Sequence, residues 1–218
     1  MFQKKGVVGI FSRDHSSCYS WLIDFLFESS LVSDVRPIYI SNTTYGLING
    51  IEQCNFAILY HTKNKGRVNV TDVTDSLYDQ ELKILSKTFG KDKVIVVIDD
   101  LEHTSDEEKK GILEQQPSIK DLALDLFLFS PNKAEKSSAY FDSHKMDESR
   151  NKLQQIKNII RAHNRRRWMK TFGPVVAVFV FVFVLIILAN VFGFFLWPRR
   201  RYFMRRLNTT ISLNKEIQ

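Results

Sequence analysis

The sequence predicts an α/β domain with a five-stranded, mostly parallel sheet flanked by helices, followed by one C-terminal transmembrane helix. Over roughly the first 160 residues, short apolar runs that suit buried strands alternate with apolar residues at helical spacing. Right-handed crossovers between successive parallel strands place the helices on both faces of such a sheet. Near the carboxyl end, 25 consecutive residues carry no charge.

The first half of the domain shows three predicted strands and two predicted helices. The strands are short runs rich in β-branched and aromatic residues, and they cover residues 6–11, 35–40 and 56–60. The first helix follows Ser16 and Ser17 as capping residues, and its apolar residues recur at helical spacing up to Glu28. A shorter second helix covers residues 45–52.

The second half continues the alternation. A third helix is predicted to start at Thr74 or Asp75, and the run VIVVI at residues 94–98 is the clearest strand of the chain. Ser105, with Glu108 three residues later, forms a capping box for the next helix. The remaining predicted elements are a fifth strand, a loop and a last amphipathic helix that packs on the sheet, at residues 122–129, 131–143 and 146–162.

The uncharged segment at residues 173–197 is predicted to cross a membrane. Eighteen of its residues are Val, Ile, Leu or Phe, and a helix of this length reaches about 37 Å, more than the roughly 30 Å hydrocarbon core. The alternative, a buried core helix, rarely reaches this length without a polar face. The predicted organisation is therefore an α/β domain at 1–145, an amphipathic and basic juxtamembrane helix at 146–172, the span, and a short basic tail at 198–218.

The charge of the chain divides near residue 160. Residues 1–160 hold 20 Lys or Arg against 23 Asp or Glu, a net charge of −3, whereas residues 161–218 hold 11 against one, a net charge of +10. Anionic lipid headgroups explain a basic excess beside a membrane span, so the lipid bilayer, and not nucleic acid, is the predicted partner. The basic residues that flank the span most closely are Arg165, Arg166, Arg167, Lys170, Arg199, Arg200 and Arg201.

The predicted topology is that of a tail-anchored, single-pass protein. No apolar leader segment follows the first residues, and the tail after the span is short, so we expect the large N-terminal domain to face the cytosol. Asn208 begins an Asn-Thr-Thr glycosylation acceptor that is used only where the tail faces a secretory lumen. The long span favours the endoplasmic reticulum, the secretory pathway or the plasma membrane, although a basic tail equally suits other organelles.

Candidate binding residues follow the predicted strands. Asp99 and Asp100 end an apolar strand as a magnesium-binding carboxylate of a nucleotide hydrolase would, but the segment after the first strand has no glycine and no Lys-Ser/Thr pair, which excludes a P-loop there. Another nucleotide or a flavin would bind at the carboxyl ends of the strands, beside Arg13, Asp14, Asp99 and Asp100. The alternative is that these residues are solvated or capping side chains. No metal site is predicted.

Three segments together resemble Toll/interleukin-1 receptor (TIR) domains over roughly residues 6–130. VVGIFSRDHSSCYSWLIDFLFE is similar to the first conserved box of these domains, and INGIEQCNFAILY resembles their Ile-rich helix and apolar third strand. LYDQEL is similar to the signature Trp-Cys-two residues-Glu-Leu, with Leu77 in place of the tryptophan and Glu81 at the acidic position. The segment RPIYISNTTYG lacks the longer proline-glycine loop through which many TIR domains associate.

The resemblance implies a flavodoxin-like or TIR-like fold and one of two activities. The first is assembly of such domains in signalling, and the second is cleavage of NAD, in which Glu81 would contact the ribose. We therefore expect a membrane-anchored signalling module that binds protein partners or itself and needs no cofactor. The alternative is an NAD- or nucleotide-processing enzyme with Glu81 as its catalytic residue. The plain interpretation of Glu81 is an exposed helix charge, and other flavodoxin-like domains remain an alternative.

Overall fold

The computed structural model describes residues 6–41, 44–131, 147–166 and 178–188 of the chain. The chain divides into two compact units, at residues 1–166 and 167–218. The first unit is built on a five-stranded sheet with the order β2-β1-β3-β4-β5, in which every pair of neighbouring strands is parallel. The predicted α/β class with a parallel sheet is therefore confirmed. The strands are β1 Gly6–Ser12, β2 Val32–Tyr39, β3 Phe56–Thr62, β4 Val94–Asp99 and β5 Asp125–Leu128.

Helices cover both faces of the sheet, as right-handed crossovers require. Five are α1 Ser20–Glu28, α2 Thr44–Glu52, α3 Asp79–Phe89, α4 Asp106–Gln115 and α5 Pro117–Leu122, and a sixth, α6, covers 147–166. One apolar core joins α2, α3, α4 and α5 to one face of the sheet. The other core joins α1 and α6 to the opposite face. The central strands β3 and β4 are buried along their whole length, which explains their continuous apolar sequences.

The last helix of the first unit belongs to the core of the domain. Ile156 and Ile160 of α6 are buried beside the side chains of α1 and the sheet. Two polar residues near its end are also buried: the ring of His163 packs on Phe56, with 5.8 Å between centroids, and Asn164 donates a 2.7 Å hydrogen bond to the Leu31 carbonyl. This arrangement agrees with the predicted amphipathic helix that packs on the sheet.

The third helix begins later than the sequence pattern predicts. The predicted start at Thr74 or Asp75 is wrong, because α3 starts at Asp79. Asp72 and Asp75 have φ angles of 64° and 61°, a left-handed conformation that a helix does not continue through. The preceding loop is instead held by Gln116, whose amide oxygen accepts from two backbone N–H groups of the loop, at 2.9 and 3.0 Å. A tertiary contact therefore decides this boundary.

The fifth strand is also shorter than predicted. Residues 117–122, which include the predicted first residue of that strand, form α5 with Pro117 in its first turn, where the missing N–H of proline costs no hydrogen bond. At α4 the predicted capping residue is confirmed, since the Ser105 hydroxyl accepts from the Glu108 N–H at 3.3 Å, which is one of the two hydrogen bonds of a capping box. Of the predicted loop at 131–143, only residue 131 is described.

The second unit is described only at residues 178–188, which form a helix, α7. Its apolar side chains are between 45% and 70% exposed. Across the portion of the chain that the structure describes, no helix has both the length and the apolar character needed to cross a membrane. The predicted span at 173–197 extends past α7 on both sides, and those flanking residues, with the predicted tail at 198–218, lie outside the described residues.

Candidate functional site

The carboxyl edge of the sheet brings the predicted binding residues to one side of the domain. Asp14 follows β1, and Asp99 and Asp100 lie at the end of β4. Arg13 lies beside Asp14 and reaches toward α3. In a parallel sheet of this strand order, ligands bind at the carboxyl ends of β1 and β3, where successive crossovers run in opposite directions. This crevice is therefore the candidate site.

The side chain of Asp14 is buried between the ends of β1 and β3. Asp14 is 1% exposed, and its Oδ2 atom accepts from the Ser12 hydroxyl and from the Thr62 N–H of β3, each at 3.3 Å. The Asp14 N–H in turn donates to the Ser12 hydroxyl at 2.9 Å. Asp14 therefore links the ends of β1 and β3, beside the crevice at which this class of fold binds its ligands.

Asp99 is buried at the end of β4 and is surrounded by hydrogen-bond donors. Its Oδ2 atom accepts from the Tyr60 hydroxyl at 2.8 Å and from the Trp21 indole at 2.9 Å, and its Oδ1 atom accepts from the Asp100 N–H at 2.7 Å. Burial raises the pKa of the Asp99 carboxyl, and these hydrogen bonds only partly offset that rise. Burial and the adjacent Asp99 charge raise the pKa of the Tyr60 phenol. Asp99 therefore ties α1 and β3 to β4.

Asp100 adopts a left-handed backbone conformation, with a φ of 61°, and faces the loop after β3. Its carboxylate accepts from the Thr62 hydroxyl and from the Asn64 amide, the latter at 2.6 Å. Lys63 and Glu102, on the same two loops, form an exposed ion pair of 3.0 Å. These contacts join the loops that follow β3 and β4.

Glu81 lies in the first turn of α3, where its carboxylate pairs with Arg13. The Arg13 Nη2 atom is 2.8 Å from the Glu81 Oε1 atom, and the two side chains are 26% and 15% exposed. Arg13 also donates from Nε to the Leu77 carbonyl at 3.0 Å, and its guanidinium lies over the Tyr78 ring. Tyr78 accepts from the Arg13 N–H, and burial raises the pKa of its phenol to about 12. The interpretation of Glu81 as an exposed charge is therefore wrong.

Sequence reasoning missed the aromatic residues that organise this edge. Three aromatic side chains form hydrogen bonds with a candidate residue or its backbone: Trp21, Tyr60 and Tyr78. Each lies within an apolar sequence pattern, which predicts a core residue. The signal that was available is that buried Trp and Tyr side chains need a partner for their polar atoms. The partner of each of these side chains depends on the order of the strands in the sheet. No local sequence pattern contains that order.

The acidic side chains at this edge of the sheet connect segments of the chain that are distant in sequence. The carboxylates of Asp14, Glu81, Asp99 and Asp100 all accept hydrogen bonds from the chain itself. Within residues 6–41, 44–131, 147–166 and 178–188, no group of three or more His, Cys, Asp or Glu side chains is arranged to hold a metal ion. At least one oxygen atom of each of these four carboxylates is therefore held by a donor of the chain.

The candidate membrane-flanking residues are only partly described. Arg165 and Arg166 are exposed at the end of α6. The remaining flanking residues and the glycosylation acceptor, which are Arg167, Lys170, Arg199, Arg200, Arg201 and Asn208, lie outside the described residues.

Comparison with known proteins finds no relative of this chain. No protein-family model, no curated protein and no solved structure matches the chain. The case for its function therefore rests on the residues and geometry described above.

Proposed function

We propose that this chain is a single-pass, membrane-anchored interaction module whose α/β domain, similar to TIR domains, binds protein partners or a second copy of itself. The observation that carries the proposal is the Asp14 side chain between β1 and β3. Bonded to Ser12 and Thr62, it holds together the ends of the two strands between which this class of fold binds nucleotides and flavins. A domain whose buried carboxylate serves to connect these two strands is better suited to binding through its outer surface.

The membrane anchor rests on the sequence and on α7. The 25 uncharged residues at 173–197 favour insertion into a bilayer. The exposed apolar side chains of α7 fit that proposal, because a water-facing helix of this composition is unfavourable. Anchoring raises the local concentration of the domain, so that weak contacts between domains are enough for assembly.

The edge strand β2 offers a surface for side-chain contacts. Tyr39 at its end is 62% exposed, and Ile48 on α2 is 50% exposed. The two elements are adjacent here, because an ideal Cβ on Gly46 of α2 would lie 3.9 Å from the Tyr39 carbonyl oxygen. Exposed apolar side chains at the edge of a sheet are typical of protein-binding surfaces.

Strand addition at β2 is disfavoured, so we propose that partners contact side chains there. The Ile40 N–H donates to the Ser12 carbonyl and so points toward β1. The backbone N–H groups of alternate residues in a strand point to opposite sides, so the backbone nitrogen of Pro37 faces the open edge of the sheet. Pro37 has no N–H to offer a new strand. Asp34 and Arg36 place an ion pair of 2.9 Å on the same strand, which also protects a sheet edge.

A test of the interaction compares charge substitutions on two apolar surfaces. Two differently labelled copies of the full chain are expressed in cells, and energy transfer between them measures self-association. We expect the double variant Tyr39→Asp/Ile48→Asp to reduce the transfer. The control is Phe27→Asp/Leu124→Asp, at two other exposed apolar positions, which are 47% and 41% exposed. Equal energy transfer in the two variants and the parent chain would contradict self-association. Binding to other proteins is tested by capturing membrane proteins on each chain. The proposal is contradicted if, in addition, the Tyr39→Asp/Ile48→Asp variant captures the same proteins as the parent chain.

The second candidate function is NAD cleavage, and one observation favours it. Glu81 takes the acidic position of the TIR signature and remains 15% exposed at the carboxyl edge beside Arg13. Incubation of the purified full chain with NAD, with Glu81→Gln as the matched variant, separates the two functions. Turnover that Glu81→Gln abolishes would favour the enzyme. Absence of turnover in both would leave the interaction module.

A further inference from the structure

The Tyr60 hydroxyl group, near the end of β3, lies within hydrogen-bond distance of two acceptors. Its oxygen is 2.8 Å from the Asp99 Oδ2 atom and 3.0 Å from the backbone carbonyl oxygen of Cys18. A tyrosine hydroxyl has one proton to donate, and neither a carboxylate nor a carbonyl group can donate one in return. While Asp99 is ionised, the hydroxyl proton can therefore point at only one of these two oxygen atoms.

A protonated Asp99 would supply the missing proton. A carboxylic acid donates one hydrogen bond and keeps some capacity to accept others. Its proton would bond the Tyr60 oxygen, and the Tyr60 hydroxyl would then donate to the Cys18 carbonyl group. The Asp99 Oδ1 atom would still accept from the Asp100 N–H, which lies 2.7 Å away. The two short contacts of Tyr60 would then both be hydrogen bonds.

We infer that Asp99 is a proton-sensitive switch: when it takes up a proton in the folded domain, the Tyr60 hydroxyl turns from the Asp99 carboxylate to the Cys18 carbonyl group. The proton comes from water, and only hydrogen bonds are exchanged. The switch acts on the 3-10 turn Ser16–Tyr19, which leads directly into α1 and carries the exposed side chain of Cys18. This inference goes beyond the proposed function and does not depend on the membrane anchor.

The surroundings of Asp99 favour proton uptake. Asp99 is 5% exposed, and burial raises the pKa of its carboxyl group above 3.8. The like charge of Asp100 raises this pKa as well, whereas the hydrogen bonds from Tyr60 and Trp21 lower it. With a raised pKa in the folded state, Asp99 contributes stability that is fully present below pH 3.8 and is lost as the pH rises through the folded value.

Other titratable groups lie around this cluster, on the elements that pack against it. On the loop after β1, the turn before α1, the ends of β3 and β4, and α6, they are Asp14, His15, Cys18, Tyr19, His61, Asp100, Glu148 and Lys152. The His15 Nδ1 atom accepts from the Ser17 N–H within its own turn. The His61 ring packs against Tyr78, on the other face of the sheet. On α6, Lys152 pairs with Glu148. A probe that bonds Asp99 itself separates its titration from these.

Trp21 is such a probe, because its indole N–H donates to the Asp99 Oδ2 atom at 2.9 Å. The chain has three tryptophans, so the background Trp168→Phe/Trp197→Phe leaves Trp21 as the single indole. The fluorescence emission of this full chain is measured in detergent micelles, from neutral pH down toward 3.8. We expect a transition in the emission, since a neutral carboxylic acid accepts a weaker hydrogen bond than a carboxylate does.

Two substitutions should move this transition in opposite directions. Tyr60→Phe removes a hydrogen bond that stabilises the Asp99 carboxylate, so the transition should move to higher pH. Asp100→Asn removes a like charge, so the transition should move to lower pH, and asparagine tolerates the left-handed backbone at residue 100. Asp99→Asn should lose the transition. The matched control, His15→Gln, changes an exposed residue of the neighbouring turn and should leave it in place.

A fluorophore on Cys18 reports on the turn itself. Cys18 is exposed and Cys54 is buried, so the label attaches to Cys18 in the folded chain. We expect the anisotropy of the label to rise as Asp99 takes up its proton, because the Tyr60 hydroxyl then holds the Cys18 carbonyl group. In Tyr60→Phe the anisotropy should stay constant, since phenylalanine has no hydroxyl to donate.

The inference would be overturned by any of three results. These are the absence of a Trp21 transition in the parent background, a transition that persists in Asp99→Asn, and a transition that neither Tyr60→Phe nor Asp100→Asn moves. Equal anisotropy of the Cys18 label above and below the transition would contradict the turning of the Tyr60 hydroxyl. Circular dichroism at neutral pH checks that each variant is folded. If Asp99→Asn does not fold, the opposite shifts in the other two variants decide the outcome.

Discussion

The Arg13 guanidinium and the Glu81 carboxylate meet at 2.8 Å, although 68 positions separate them in the sequence. This pair, with the hydrogen bond from Arg13 to Leu77, joins the loop after β1 to the start of α3. We expect Glu81→Ala and Arg13→Ala each to lower the free energy of unfolding. The coupling between them in a double-mutant cycle should be about 1 kcal/mol, because the side chains are only partly exposed. Denaturation of the chain in detergent micelles measures it, and a coupling near zero would show that the pair is incidental.

Removing the Asp14 carboxylate should destabilise the domain. Asp14→Ala leaves the buried Thr62 N–H and the Ser12 hydroxyl without this acceptor, which costs about 1–3 kcal/mol. Asp14→Asn keeps one carbonyl oxygen and should cost less. Urea denaturation followed by circular dichroism gives both values, and an equal loss for the two variants would argue against the hydrogen bonds as the cause.

The pair Gly9 and Gly111 tests how tightly the core is packed. A Cβ atom at Gly9 would lie 2.7 Å from Phe11, 2.8 Å from Cys54 and 2.9 Å from Ile38, so Gly9→Ala should cost about 1–3 kcal/mol. A Cβ at Gly111, inside α4, meets no atom within 4 Å, and Gly111→Ala should stabilise the helix by roughly 0.5–1 kcal/mol. Thermal unfolding measures both, and a neutral Gly9→Ala would show that the neighbouring side chains move aside.

Asp72 should give the domain a component of stability that depends on pH. Although partial burial opposes the shift, hydrogen bonds from the Ser118 hydroxyl and N–H and from Thr71 lower the pKa of Asp72 below its usual 3.8. A lowered pKa means that this contribution is present above about pH 3.8 and is lost as the pH falls through the lower folded value. Asp72→Ala should lose stability at neutral pH, by no more than about 1 kcal/mol because the carboxylate is exposed to solvent. The difference from the parent chain should shrink in acid, and a constant difference would contradict the assignment.

The two cysteines should differ sharply in reactivity. Cys18 is exposed, whereas Cys54 is buried, and burial raises the pKa of its thiol to about 11. Since the thiolate is the reactive form, a maleimide should label one thiol per folded chain at neutral pH and two after unfolding. Mass spectrometry with Cys18→Ser as the control identifies the labelled residue. Labelling of Cys54 in the folded chain would contradict the packing around Gly9.

Local sequence patterns predicted most of the sheet and missed what lies between the strands. The strand starts at Gly6, Phe56 and Val94 match the predictions, because a buried strand needs a continuous apolar run. The start of α3 was misplaced, since left-handed residues and the Gln116 side chain, distant in sequence, hold the loop before it. Pro117 likewise begins a helix that the apolar pattern had assigned in part to a strand.

The candidate residues show the same division. The sequence predicted that polar candidate residues follow the strands, because polar residues must end buried strands; these residues are Arg13, Asp14, Asp99 and Asp100. It did not predict the hydrogen-bond or ion-pair partner of each residue. Glu81 looked like a solvated charge until the order of strands and helices placed Arg13 beside it.

The sequence by itself determined the parallel α/β class and the segregation of positive charge toward the carboxyl end, since both follow from composition and period along the chain. Only the tertiary structure decided that Asp14 links the ends of β1 and β3, and that the end of α6 packs beside the start of β2. The physical reason is that a buried polar group takes the partner that the packed strands bring within about 3 Å, and that partner is distant in the sequence.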